Sequence, residues 1–280
     1  MTETPRARYL LCALAVCIVL ISGSPGYGQT SVRRPPATAP KTAFNAATYD
    51  SLMLSEFAWR PIGPAVTSGR ISDLAVAEGP ESRVGDRLGK LMYAAAAGGG
   101  VWKSINAGTT WEPVFDKQGS SSIGDVTLAP SNPEIVWVGT GEANNLRSSS
   151  WGDGVYKSEN GGKTWTHMGL KTSQHIGRIV VHPNNPSIVF VAAVGPLWAS
   201  GGERGLFRTM DGGKTWTNVL RLSAHTGVTD VVMDPTNPSI MYAASFQRQR
   251  KAYSFVGGGP ESGIYKSTDG GGKWTKLTRG

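Results

Sequence analysis

Two short stretches, Gly162-Lys163-Thr164 and Gly213-Lys214-Thr215, carry residue types that can cradle a nucleotide's phosphates. A phosphate loop also needs a glycine five residues upstream and a helix downstream. Here Lys157 and Arg208 hold the upstream positions and the residues that follow are β-rich, so no nucleotide site is expected. A more productive set is formed by Asp73, Asp125, Arg178 and Asp230, each two residues after an Ile or Val. If Asp125 or Asp230 stood about 5 to 9.5 Å from Glu142, the pair could serve as acid and base in glycoside hydrolysis. The competing reading of the same positions is a ring of charges that solvates a water-filled channel. His167, His175, His182 and His225 show no metal-ligand spacing, so neither a metal nor a cofactor is expected.

A second set of candidates lies in long polar segments that carry aromatic residues. Segment 141–154 contains Glu142, Asn144, Asn145, Arg147, Trp151 and Asp153, and segment 195–205 contains Trp198, Glu203 and Arg204. Segment 246–263 contains Gln247, Arg248, Arg250, Tyr253 and Glu261. Rings that stack on apolar faces, beside arginines that take hydroxyls or carboxylates, suit a sugar or a peptide. The ligand-binding candidates are therefore Arg147, Trp151, Trp198, Arg204, Arg248 and Tyr253, with Arg178 from the first set. The alternative for Trp151 and Trp198 is that each pins its own loop.

These candidates are carried by a repeat. "SINAGTTW", "SENGGKTW", "TMDGGKTW" and "STDGGGKW" end at Trp111, Trp165, Trp216 and Trp274, at steps of 54, 51 and 58 residues. "IGDVTLAPSNPEIVWVG" from Ile123, "IGRIVVHPNNPSIVFVA" from Ile176 and "VTDVVMDPTNPSIMYAA" from Val228 keep the same interval, with a worn copy at Ile71. Self-similarity of this period marks an array of one supersecondary unit.

Each unit divides into four β-rich runs, which in the third unit are 177–182, 187–194, 205–209 and 215–220. The inner runs are apolar on both faces, so each small sheet must lie between two others, as in a β-propeller blade. The fold class is all-β: about four blades of four antiparallel strands, the N-terminal part of a larger ring. Pro-x-Asn-Pro joins the first and second runs, where proline fixes φ and the asparagine can bond its own backbone. Between the third and fourth runs, Asn106, Asn160, Asp211 and Asp269 accept backbone hydrogen bonds in a hairpin, and glycine supplies positive φ. The closing tryptophan is expected to bury its ring beneath its own turn. In a blade, the second-to-third connections, which are the candidate loops, share one face with the fourth-to-first connections, while the hairpins lie opposite.

The pattern Ser-x-Asp-x-Gly-x-Thr-Trp resembles the Asp box, or BNR repeat, of sialidases, xyloglucanases with tandem propellers, the sortilin ectodomain and a photosystem II assembly factor. Four copies cover Ser104 to Trp274. "SIGDVTLAPSNPEIVWVGTGE" and "RSSSWGDGVYKSENGGKTW" are similar to secreted bacterial proteins labelled sortilin-like or BNR-repeat glycosyl hydrolases. The resemblance implies a propeller whose Asp boxes lie at the blade periphery, away from any active site. Asn106, Asn160, Thr209 and Lys273 depart from the pattern. The order Arg60-Pro61-Ile62 departs from the sialidase Arg-Ile-Pro stretch and weighs against sialic-acid cleavage.

At the start, Arg6 and Arg8 precede the apolar run Tyr9 to Ile21 and then small, turn-forming residues up to Gly28. Residues 1–28 have the layout of a secretory signal, and the apolar run is short for a membrane span. Cys12 and Cys17 lie inside it, so the processed chain would hold no thiol, and loss of Arg6, Arg8 and Glu3 lowers the charge of +8 by one. Residues 29–54, rich in Pro, Ala and Thr, read as a linker, and 55–280 as the blades. The expected location is outside the cell, or in the periplasm or envelope. Residues 57–62 resemble a fourth-run strand that the last unit does not need, so further blades, or a second propeller, are expected as partners. Three functions stay open: recognition of a peptide or glycan on the loop face, glycoside hydrolysis, and a structural or assembly role with no small ligand. No nucleic-acid motif is present.

Overall fold

The computed structural model describes residues 70–77, 91–144 and 147–278. The signal and linker readings, the strand at 57–62 and Asn145 lie outside the described residues. Seventeen strands and no helix make up the described chain. The first sheet joins β1 (Ile71–Val76), β2 (Met92–Ala96), β3 (Gly100–Ser104) and β4 (Glu112–Pro113). The second joins β5 (Ile123–Ala129), β6 (Asn132–Thr140), β7 (Val155–Ser158) and β8 (Thr166–His167). In the third are β9 (Ile176–His182), β10 (Asn185–Ala193), β11 (Gly205–Thr209) and β12 (Thr217–Leu220). The fourth holds β13 (Thr226–Met233), β14 (Met241–Arg250), β16 (Gly263–Ser267) and β17 (Thr275–Lys276), with β15 (Phe255–Gly257) paired to β14 outside that path. Strands pair antiparallel in sequence order, so the four sheets are blades of a β-propeller.

Blade contacts explain why the inner strands are apolar on both faces. One buried cluster, with Tyr93, Val126 and Tyr156, lies between the first and second blades. A second cluster, with Trp137, Ile179 and Val191, separates the second from the third, and a third, with Phe190, Leu206 and Met241, separates the third from the fourth. The Pro-x-Asn-Pro expectation holds in detail, because Asn132, Asn185 and Asn237 each accept the N–H two residues on, at 3.0, 3.0 and 3.3 Å. These are Asx turns.

The four hairpins repeat the same hydrogen bonds. Asn106, Asn160, Asp211 and Asp269 accept the N–H four residues on at 2.9, 2.9, 3.0 and 2.9 Å. The hydroxyls of Ser104, Ser158, Thr209 and Ser267 accept the N–H of Gly108, Gly162, Gly213 and Gly271 at 2.8–2.9 Å. Gly213 has φ +96°, and a Cβ there would stand 2.7 Å from the Trp137 ring of the preceding blade, so glycine is required twice over. Two of the four tryptophans reach beyond their own turns. Trp165 and Trp216 donate to the carbonyls of Val114 and Met168 in the preceding blade at 2.7 and 2.6 Å, so they fasten one blade to the next. Trp111 and Trp274 donate to Gly108 and Gly271 of their own hairpins, at 3.0 and 3.2 Å.

Each inner strand contains a bulge that the repeat pattern alone does not announce. Pairing shifts between Ile71 and Asp73, between Ile123 and Asp125, and between Val228 and Asp230, and the β9–β10 register shifts at Ala192/Ala193, opposite Arg178 and Ile176. A bulge leaves one residue unpaired and re-aims the next side chain. The skipped residues in the second and third blades are glycines because the strands abut there. A Cβ on Gly124 would lie 2.0 Å from the Ile176 carbonyl oxygen, and one on Gly177 2.2 Å from that of Thr229.

Candidate functional site

The bulges bring Asp73, Asp125, Arg178 and Asp230 together. Arg178 Nη1 stands 3.0 Å from Asp125 Oδ1 and 3.4 Å from Asp73 Oδ1, and its Nε stands 3.3 Å from Asp230 Oδ1. The aspartates also tie blades. Asp73 Oδ2 accepts from Val126 N–H at 3.2 Å, and Asp125 Oδ2 accepts from Ile179 N–H at 3.0 Å, each crossing to the next blade. Arginine at 178 interrupts that series, and Val231 N–H is taken up by Asp230 of its own strand at 2.8 Å. Asp125 is wholly buried, and its pKa is pushed up to about 7 by burial and then by Asp73, against the pull of Arg178, Thr127 and the Ile179 N–H. A cleft of about 310 Å³ beside the cluster is lined by Asp73, Thr127 and Arg178 among others, and Asp125 does not line it.

Glu142 is placed by the loop after β6. Its carboxylate, 2% exposed, receives Arg70 Nε at 2.8 Å and Nη2 at 2.6 Å, a two-pronged ion pair, and Asn144 Nδ2 at 2.6 Å. Its carbonyl takes Nδ1 of the buried His175 at 2.7 Å. Burial first, and then Arg248, lower that histidine's pKa to about 4, so the ring is neutral. The three candidate catalytic carboxylates are thus each engaged: Asp125 and Asp230 by Arg178, Glu142 by Arg70.

The loop candidates fall into two kinds. Arg204 and Arg248 are buried. Arg204 donates to the carbonyls of Gly201, Val194 and Ala199 at 2.8, 3.0 and 2.6 Å and also to that of Pro196, and Arg248 donates to Gly195 at 2.9 Å. They hold the loop after β10 in shape. Arg204 is lowered to about 10 by burial, and Arg248 to about 10 by burial first and then by the charges of Arg204 and Arg250. By contrast Trp151, Trp198 and Tyr253 are exposed by 67, 42 and 87%, and Arg147 is exposed too. The sequence reading missed Phe255, whose ring lies 4.4 Å from the Arg250 guanidinium, with Trp198 at 5.9 Å on another side. It also missed Arg70 and Ser122, which fix Glu142. The Arg-to-Glu pairing crosses blades and leaves no local sequence signal.

Comparison with known proteins follows this geometry. The family model described as Sortilin-Vps10 (sortilin, neurotensin receptor 3) matches residues 153–280, a little under half of the chain. A probable oligoxyloglucan-reducing end-specific xyloglucanase of Neosartorya fischeri is 25% identical over 204 residues, 67% of this chain and 22% of the relative. A xyloglucanase of a Paenibacillus species is 22% identical over 215 residues, 67% of this chain and 19% of that protein. The chain is similar to sortilin-like and glycosyl-hydrolase-like propellers. It spans about a fifth of the length of these curated relatives. The crystal structure of an ancestral GH74 enzyme superposes with a TM-score of 0.57 at 22% identity, covering 79% of this chain and 25% of that one, which shows the shared fold. The resemblance read from the hairpins is borne out, and so is the all-β propeller. Among the described residues, no helix is long and apolar enough to cross a membrane, and no group of His, Cys, Asp and Glu is placed to hold a metal.

Proposed function

We propose that this chain is the recognition part of a secreted Asp-box propeller, which binds a peptide or glycan on its loop face, with further blades or a second propeller completing the whole protein. The observation that carries this reading is the engagement of all three candidate carboxylates. Glu142 is closed by Arg70, Asp125 is buried away from the cleft, and Asp230 is bridged through Arg178 to Asp73 and Asp125. A glycosidase needs one carboxyl poised as acid and another facing the sugar. The loop face instead offers exposed aromatic rings beside arginines, groups that hold a ligand without cleaving it.

Glycoside hydrolysis is the second reading, favoured by the xyloglucanase relatives and by the raised pKa of Asp125, which a general acid requires. Incubating the protein with xyloglucan, and screening glycan and peptide arrays in parallel, separates the two. Recognition predicts retention of a ligand without new reducing ends. Release of reducing ends that stops in Asp125→Asn or Glu142→Gln would replace this reading with the enzyme.

A further inference from the structure

The face that each of the first three blades turns to the next is buried. Tyr93, Trp137 and Phe190 of the second strands and Val101, Val155 and Leu206 of the third are each at most 1% exposed. Strand register gives their counterparts in the fourth blade. The aromatic residues pair with Lys103, Lys157 and Arg208, as Tyr242 does with Lys266, and the aliphatic ones pair with Ala95, Gly139 and Ala192, as Ile264 does with Ala244. Yet Tyr242 is 37% and Ile264 45% exposed, with Val232, paired to Tyr242, at 53% and Leu277, whose N–H bonds the Ile264 carbonyl, at 44%. A continuous apolar face of this kind marks an interaction surface. What fits it is shown by the junctions inside the chain, where each such face is covered by the blade next in sequence.

Polar groups on the open face match those that join the blades. Lys103, Lys157 and Lys266 stack on the aromatic residue opposite, at 5.7, 5.5 and 5.4 Å from the ring centres. Lys103 goes on to donate to the Gly161 carbonyl of the next hairpin at 2.8 Å, and Arg208 donates to that of Gly270 at 3.4 Å, while Lys266 makes no hydrogen bond or ion pair with a described residue. Asp73 and Asp125 each accept an N–H of the next inner strand through Oδ2, and Oδ2 of Asp230 has no described partner. The Val114 and Met168 carbonyls accept the indole N–H of the next hairpin's tryptophan, and Leu277 stands in their place after Trp274. The skipped residue of the bulge agrees. Gly124 and Gly177 lie against the next blade's backbone, whereas Ser72 and Thr229 carry hydroxyls, and both turn them back to their own blade, to the carbonyls of Ala95 at 3.1 Å and Ala244 at 3.2 Å. The fourth blade's seat is thus shaped like that of the first, which the second blade occupies.

We propose that this face is the docking surface for the next Asp-box blade of the same protein: its inner strand donates an N–H to Asp230, the carbonyl after its hairpin Asp or Asn accepts from Lys266, and its tryptophan donates to the Leu277 carbonyl. This rests on the reading above that further blades complete the protein, and it names the contacts. Hydroxyl-radical footprinting of the intact protein, read by mass spectrometry, tests it with two references in the same molecule: Tyr93, buried under the second blade, and Tyr253, 87% exposed. Oxidation of Tyr242 should fall to the level of Tyr93. A clearly faster rate, towards that of Tyr253, means an open face and overturns the proposal. Protection that is lost on dilution, with the mass of a dimer in light scattering, also overturns it, because the occupant is then the first blade of a second copy, where Ile71, Leu74 and Val76 are exposed. In a covered face Ile264→Asp buries a charge, so it should lower the melting temperature by about 5 °C or more, or prevent folding. Val256→Asp, on the two-stranded flap that β14 and β15 form beyond Ser245, should leave it within about 2 °C. An Ile264→Asp protein that melts with the parent overturns the proposal. The arrays report on recognition separately: no retained ligand with Tyr242 protected removes recognition and leaves the docked blade, whereas a retained ligand with Tyr242 reactive removes the docked blade alone.

Discussion

The hairpins and the loops after β2, β6, β10 and β14 hang from the same strands at opposite ends, yet one set is nearly invariant and the other is not. All four hairpins close with the same hydroxyl and carboxyl or amide bonds, within 0.1 Å of one another. The loops range from the three residues 97–99 to a flap with its own strand pair. A blade must fit its neighbours in one way, which holds the hairpin constant, whereas nothing in blade packing constrains a loop that faces solvent. Shape is therefore repeated at one end and varied at the other.

The largest effect that would sharpen this contrast is at Trp216, which packs on Trp137 with ring centroids 6.2 Å apart and reaches the preceding blade. Trp216→Ala should cost about 3–5 kcal/mol in urea unfolding. Trp111, 36% exposed, should cost only about 1 kcal/mol, and an equal loss at both would break the inter-blade account. Of similar size is Arg178→Met, which strands Asp73 and Asp125 and should cost about 3–5 kcal/mol near neutral pH. The pH dependence has a definite sign. Because the folded pKa of Asp125 is raised from 3.8 to about 7, its protonation supports the fold below about pH 4, and that support is lost as pH rises through 7. Asp125→Asn should flatten the melting temperature over that window, and an unchanged slope would place the dependence elsewhere.

Smaller effects separate glycines at the two ends. Gly213→Ala meets Trp137 and Met168 as well as positive φ, so it should cost more than the about 1–2 kcal/mol of left-handed backbone alone. Gly201, with φ +78° and nothing within 4 Å of an added Cβ, should cost no more than that. Smallest of all, Tyr253→Ala on the loop face should change stability by less than about 0.5 kcal/mol.

Much of this was legible in the sequence because hairpin and turn chemistry are local. Asn160 and Ser158 sit within a few residues of the groups they bond, and the third blade's strands fell within two residues of their observed ends. What the repeat concealed is what blades do to each other. Trp165 and Trp216 point across to a neighbour, Arg70 closes Glu142 from 72 residues away, and Arg178 gathers aspartates from three other blades. The matching positions of those four charges were visible, and the Ile-Gly pairs at 123–124 and 176–177 held a clue to the bulges. The flap at 246–257 was missed because Gln247, Arg248 and Arg250 break the apolar pattern of a strand that leaves its blade.

Hydrogen–deuterium exchange on the intact protein, with and without a saturating glycan or peptide retained on the arrays, compares both ends of the blades in one measurement. Slower exchange confined to 194–205 and 246–263, with the four hairpins from 104–111 to 267–274 unchanged, is the outcome expected here. Protection centred on the hairpins, or no protection at either end, would contradict the division of labour between them.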